Sequence, residues 1–212
     1  MKVFKVTLVL LVGILLLAVL PGCDYFIIGE GSVKPVASPT QTLEEIITDS
    51  EKAAILYMLE EEKLARDVYT RLNEKWKAQT FANIIPSEQV HMDSVKKLID
   101  AFGLRDPGAG GPGEFSSPEF ARLYALLVEK GSASLKDAYL VGAYIEELDI
   151  YDLEDRIGRA YRLDIISTFG SLDNGSRNHL RAFVAQLKAQ GVTYTPQVLS
   201  ATAYDRIINP PK

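Results

Sequence analysis

Cysteine is almost missing from this 212-residue chain, which has only Cys23. A single thiol excludes an internal disulfide framework and any zinc or iron–sulfur site built on several cysteines. Histidine is nearly as scarce. There are two, His91 and His179, so the place of each carries weight. No basic cluster follows the N-terminal segment and the formal charge is −5, which argues against a nucleic-acid partner. No stretch alternates apolar and polar residues long enough to suggest a strand. A glycine-rich dinucleotide motif and a short-period repeat are both lacking. Apolar side chains are what the chain does have, at 47%, enough for one well-buried domain with segments to spare.

Lys2 and Lys5 precede an uncharged run from Val6 to Leu20. Its length, roughly 15 residues, is short for a spanning helix and right for a signal-peptide core. The run ends in Leu20-Pro21-Gly22-Cys23, which resembles a bacterial lipobox. Residues 1–22 are therefore expected to be a lipoprotein-type signal peptide, with Cys23 the lipid-modified first residue of the mature protein. The alternative is an uncleaved membrane anchor with Cys23 a bystander. Either reading puts the rest of the chain outside the cytoplasm, at the cell envelope and held to a membrane. Asp24 resembles an inner-membrane retention signal. Residues 23–42, with Gly29, Gly31, Pro35 and Pro39, read as a flexible tether. The folded domain is expected over residues 43–209.

Within that domain the apolar residues recur at helical spacing. Thr48 with Glu51 three residues on reads as a capping box opening a helix that runs to about Lys77. A second helix lies between Thr80 and Phe102, stopped by Gly103, with Pro86 either kinking it or marking its true start. The glycine- and proline-rich stretch 103–118 and a short helix from Pro118 to Lys130 make a long connection. A third long helix starts at a Ser134 cap and runs to about Arg156. A fourth covers Leu163 to Gln190. Tyr194, Leu199, Tyr204 and Ile207 in the tail are expected to dock on the helices. The fold class is thus all-α: a four-helix bundle with one long crossover between its second and third helices and a short extra helix.

Polar residues interrupt the apolar stripes. Glu62 shares a stripe with Ile55, Leu59 and Tyr69. Glu88 and His91, three apart, share a face that continues to Val95 and Leu98. Glu146 falls between Tyr139 and Leu153, and His179 between Leu172 and Phe183. Taken alone, Glu62 in the run Glu60-Glu61-Glu62 would read as part of a solvated face. Taken together, four helices each turn an ionisable group inward. Buried unpaired carboxylates are costly, and a shared cation is the simplest partner. Three carboxylates and two imidazoles suit iron, manganese or zinc.

Glu62-Lys63-Leu64-Ala65-Arg66-Asp67-Val68-Tyr69 resembles the first metal-binding helix of rubrerythrins, and Glu88-Gln89-Val90-His91 the Glu-x-x-His of their second. Over residues 43–209 the chain resembles the ferritin-like family called domain of unknown function 2202, most clearly in Glu60–Tyr69, Ser87–Met92, Val141–Leu153 and Gly175–Phe183. The resemblance implies a ferritin-like bundle and a di-iron site on Glu62, Glu88, His91, Glu146 and His179, with manganese or zinc as alternatives. The resemblance brings no established substrate; the first expectation for such a site is a redox centre that oxidises Fe(II) or reduces O2 or peroxide, with Tyr69 near the site and Arg66 pairing a ligand carboxylate. In one place the chain departs from the pattern. Three residues before His179 stands Ser176, not glutamate, and Asp149, one turn after Glu146, is the residue placed to compensate. That departure keeps a non-catalytic metal-binding or interaction lipoprotein as the other reading. The expected partners are metal ions and the membrane, with a homodimer left open.

Overall fold

The computed structural model describes residues 47–210. The expected signal peptide, Cys23 and the tether lie outside the described residues. Six helices are present: α1 Asp49–Trp76, α2 Gln79–Ala101, α3 Pro118–Gly131, α4 Leu135–Arg159, α5 Leu163–Ala189 and α6 Ala201–Ile208. No strand occurs among the described residues. None of these helices is long and apolar enough to cross a membrane.

Local chemistry sets the ends. The Thr48 hydroxyl accepts from the Glu51 N–H at 3.1 Å, and Glu51 Oε2 accepts from the Thr48 N–H at 3.0 Å, so the capping box forms. The other oxygen of Glu51 accepts from the N–H groups of Tyr161 and Arg162, both at 3.0 Å. One carboxylate thus closes the start of α1 and holds the start of α5. Ser117 caps α3, which has Pro118 in its first turn, and Ser134 caps α4. Lys77 ends α1 in the left-handed region at φ 51°. The short links at 77–78 and 160–162 turn the chain straight back, as antiparallel neighbours require.

Three details differ from the sequence reading. Of the two readings of Pro86, the first-turn one falls, because α2 begins about two turns earlier at Gln79 and Pro86 lies inside it. α4 continues to Arg159. The tail carries a sixth helix, α6, capped by Ser200; eight residues are too few for periodicity to declare a helix.

α1 packs against α2, α3 and α4, and α5 against α2, α4 and α6. The four long helices therefore close a ring in the order α1–α2–α5–α4. Since three helices cover α1, its acidic run is buried and not solvated. Glu60 Oε1 accepts from the N–H groups of Ser116 (2.6 Å) and Ser117 (3.0 Å) at the start of α3. Lys63, wholly buried, pairs with Asp67, donates to the Gly111 carbonyl at 2.8 Å and lies over the Phe115 ring. Charged groups of α1 thereby pin the glycine-rich connection that leads to α3.

The apolar core falls into two clusters. One holds Leu64, Val68, Tyr69, Leu72, Phe81, Phe183 and Leu187. The other holds Ile55, Leu59, Met92, Val95, Ile99, Phe169 and Leu172. On α1, α2 and α5 the residues between the clusters are polar: Glu62, then Glu88 with His91, then Ser176 with His179. A polar layer therefore divides the core.

Glu147 of α4, with no exposed surface, points away from that layer. It accepts from the Tyr194 hydroxyl and from the N–H groups of Gln197 (3.1 Å), Val198 (3.0 Å) and Leu199 (2.9 Å). Removing it orphans two buried donors, the Tyr194 hydroxyl and the Leu199 N–H, each costing about 1–3 kcal/mol. Glu147→Ala is expected to release the segment from Tyr194 onward, seen as faster hydrogen exchange and proteolysis confined to that segment.

Candidate metal centre

Glu62, Glu88, His91, Glu146 and His179 meet in the polar layer, each buried. They form two close groups, Glu62–Glu88–His91 and Glu88–Glu146–His179, with the ligand-type atoms of each group within 4.8 Å of one another. Glu88 belongs to both. Its Oε2 lies 2.9 Å from His91 Nδ1 and its Oε1 2.9 Å from His179 Nδ1. The carboxylate is therefore shared, one oxygen to each imidazole. Glu62 Oε2 is 3.1 Å from His91 Nδ1, and Glu146 Oε2 is 3.6 Å from His179 Nδ1. The two rings face each other, centroids 5.5 Å apart.

Room for this comes from α5. At Gly175 an added Cβ would meet His91 Cε1 at 2.6 Å, so the ring occupies space that only glycine leaves open. On the opposite side Tyr69 donates to Glu146 Oε1 at 2.6 Å, and Ser87 Oγ lies 3.1 Å from His179 Nε2. Asp149 belongs to neither close group. One of its oxygens accepts from the Ser176 hydroxyl and the other has no hydrogen-bond partner among the described residues. Arg66, expected beside a ligand carboxylate, pairs with Asp67 and donates to Gln89 Oε1 at 2.8 Å. Its guanidinium reaches those acceptors first. Sequence reasoning missed Ser87, Gly175 and Glu61. Ser87 is signalled by nothing except its place beside Glu88, and Gly175 has no signal until His91 is located. Glu61 is buried facing Asp152 and Arg156, and burial followed by the Asp152 charge raises its carboxyl well above the usual range.

A cation fits these donors. Glu62 Oε1, Glu88 Oε1 and His179 Nδ1 are buried with no hydrogen-bond partner among the described residues. Buried polar atoms are normally satisfied, and these three sit at the centre of the cluster. Without a cation, protons carry the positive charge. Burial lowers the affinity of both imidazoles for protons, but the carboxylates outweigh it and raise His91 to about 11 and His179 to about 10. Burial raises Glu88, yet the two imidazoles lying close against its oxygens bring it down to about 2. Burial pushes Glu62 up to about 7 despite the His91 hydrogen bond.

The signs follow by linkage. The raised histidines stabilise the metal-free fold below their ordinary value of 6.5, a contribution lost as pH rises through about 10 to 11. Glu88 contributes above its ordinary 4.5, lost as pH falls through about 2. Glu62, raised, makes folding less favourable as pH climbs from 4.5 through about 7. A bound metal must displace the imidazole protons, so binding tightens with pH. The difference in Tm between metal-loaded and stripped protein is expected to widen from about pH 5.5 to about pH 8.

The fold and the site together define a class: an all-helical protein with buried carboxylate–histidine groups that could hold metal ions. The chain belongs to the family described as uncharacterised protein domain DUF2202, whose model matches residues 51–211. It is 50% identical over 164 residues to the uncharacterised protein MJ0754 of Methanocaldococcus jannaschii, covering 77% of this chain and 89% of that protein. It is also similar to the crystal structure of hypothetical protein MJ0754 from Methanococcus jannaschii. The TM-score is 0.77 at 47% identity, over 81% of this chain and 99% of that one.

Proposed function

We propose that this domain is a ferritin-like bundle that holds two iron ions, one at each close group, and oxidises Fe(II) with O2 or peroxide. The observation that carries this reading is the Glu88 carboxylate, which offers one oxygen to each group. Two ions held at adjacent groups would repel one another, and Glu88, common to both groups, would supply the negative charge that offsets that repulsion. Bound Fe(II) supplies the reducing electrons. The chain supplies the rest. Glu62, Glu88 and Glu146 provide hard oxygen donors suited to the more oxidised metal, Tyr69 fixes the Glu146 carboxylate, and the two apolar clusters keep bulk water from the layer. Manganese or zinc suits the same donors.

A second reading is metal holding without turnover. Ser176, which hydrogen-bonds Asp149 where a fourth-helix carboxylate is expected to bind metal, favours it. Elemental analysis and Fe(II) addition to stripped protein decide. Two iron ions per chain with oxygen-dependent colour support the redox reading. Tight manganese or zinc with no oxidation of Fe(II) supports the second. No bound metal rejects both. From the sequence alone we further propose lipid attachment at Cys23 and an envelope location, tested by fatty-acid labelling of wild type against Cys23→Ser.

A further inference from the structure

The two close groups share Glu88 but differ in what holds their remaining members. In the group Glu88–Glu146–His179 both outer members are anchored from beyond the cluster. The Tyr69 hydroxyl occupies Glu146 Oε1 at 2.6 Å, which leaves Oε2 on the His179 side. Ser87 Oγ meets His179 Nε2 at 3.1 Å. With Nε2–H donating to that hydroxyl, the Nδ1 lone pair faces the cluster, which is the tautomer a metal requires.

The group Glu62–Glu88–His91 has no such supports. Glu62 Oε2 meets only His91 Nδ1 of its own group, and Glu62 Oε1 has no hydrogen-bond partner among the described residues. His91 Nε2 has none there either, and the ring rests against the bare Cα of Gly175. Lys63 and Arg66, the cations nearest in sequence to Glu62, are engaged elsewhere, Lys63 by Asp67 and the Gly111 carbonyl and Arg66 by Asp67 and Gln89. Donors already held in place lose less freedom when a metal binds. A ring held only by the carboxylates of its own group must be reordered when the metal takes those carboxylates.

We propose that the two metal positions are inequivalent. The position at Glu88, Glu146 and His179 fills first, the position at Glu62, Glu88 and His91 fills second, and Ser87 and Tyr69 are positioning residues that set this order. The inference rests on the two-metal reading above. It has a chemical corollary: at limiting supply the chain carries one ion tightly, and the second position exchanges with free metal.

The test is a Mn(II) titration of the stripped full chain in detergent, followed by electron paramagnetic resonance. This reads bound and free Mn(II) separately and shows coupling once two ions are adjacent. Two steps are expected, at least about tenfold apart in affinity, with coupling appearing only in the second. Ser87→Ala and Tyr69→Phe each weaken the first step about 10- to 100-fold, and Ser87→Thr, which keeps the hydroxyl, restores it. Glu62→Gln keeps the first step at wild-type affinity and loses the second. Two ions of equal affinity in wild type would overturn the ordering and leave the two-metal reading standing. A Ser87→Ala variant unchanged in its first step would also overturn it. Uptake of no ion at all would reject the two-metal reading itself, and the ordering with it.

Discussion

Glu88→Gln is expected to empty both metal positions at once. The substitution preserves shape and removes the charge from the one side chain common to both groups. Each imidazole then faces an amide across a contact that is now 2.9 Å to a carboxylate oxygen, and the anion that offsets two adjacent cations is gone. Changes to groups that only support a ligand typically cost 10- to 100-fold in metal affinity, so loss of a shared ligand should cost at least about 100-fold at each position. On the two-metal reading, elemental analysis should fall from two ions per chain to well below one. Glu146→Gln and Glu62→Gln, each in one group only, should each keep one ion. Two ions retained by Glu88→Gln would remove the basis for a bridged pair. The metal-free variant is a useful control, because Glu88 also neutralises the two raised imidazoles. Its loss should bring both histidines back toward their ordinary value of 6.5, visible in their NMR titration.

Two alanine substitutions on α5 should have opposite signs. At Gly175 the added Cβ lands on the His91 ring. The ring is the end of a side chain and can swing, but only by leaving Glu62 and Glu88. Overpacking of this kind typically costs about 1–3 kcal/mol, and here the displaced group is also a donor of the centre. Gly175→Ala should therefore lower Tm and remove the Glu62–Glu88–His91 position while sparing the other. At Gly170 on the same helix, nothing lies within 4 Å of an added Cβ. Gly170→Ala should stabilise by about 0.5–1 kcal/mol, since alanine loses less backbone entropy than glycine in a helix. Thermal melts of the stripped proteins give the signs. Equal melts for the two variants would mean that His91 does not depend on the space at Gly175.

The helices were legible because their ends are written locally. Thr48 with Glu51, Ser134 with Asp137, and the glycines at 103 and 191 lie within a few residues of what they terminate. The polar layer was legible for a different reason. With only two histidines in the chain, both on apolar stripes, few arrangements were open, and the glutamates at matching depth followed. What could not be read were destinations far along the chain. Glu60, Glu61 and Glu62 are consecutive, yet they face Ser116, Asp152 and His91 respectively. Only the covering of α1 by three other helices sends each into separate surroundings. The same holds for Glu147, whose role depends on a tail about 50 residues further on.

The Glu51 clasp also has a mechanical consequence. A pull on the chain ahead of Asp49 enters the domain at Thr48, where the capping box begins. Because Glu51 Oε1 accepts from Tyr161 and Arg162 in the link that leads into α5, that load passes at once to a segment 110 residues away in sequence. α1 is then held at its first turn and is not unzipped turn by turn from its free end. In single-molecule pulling through the N-terminus, Glu51→Ala should lower the rupture force while the same pull applied through the C-terminal end is unaffected. A domain gripped at this end would withstand a pull through Thr48 without exposing its polar layer.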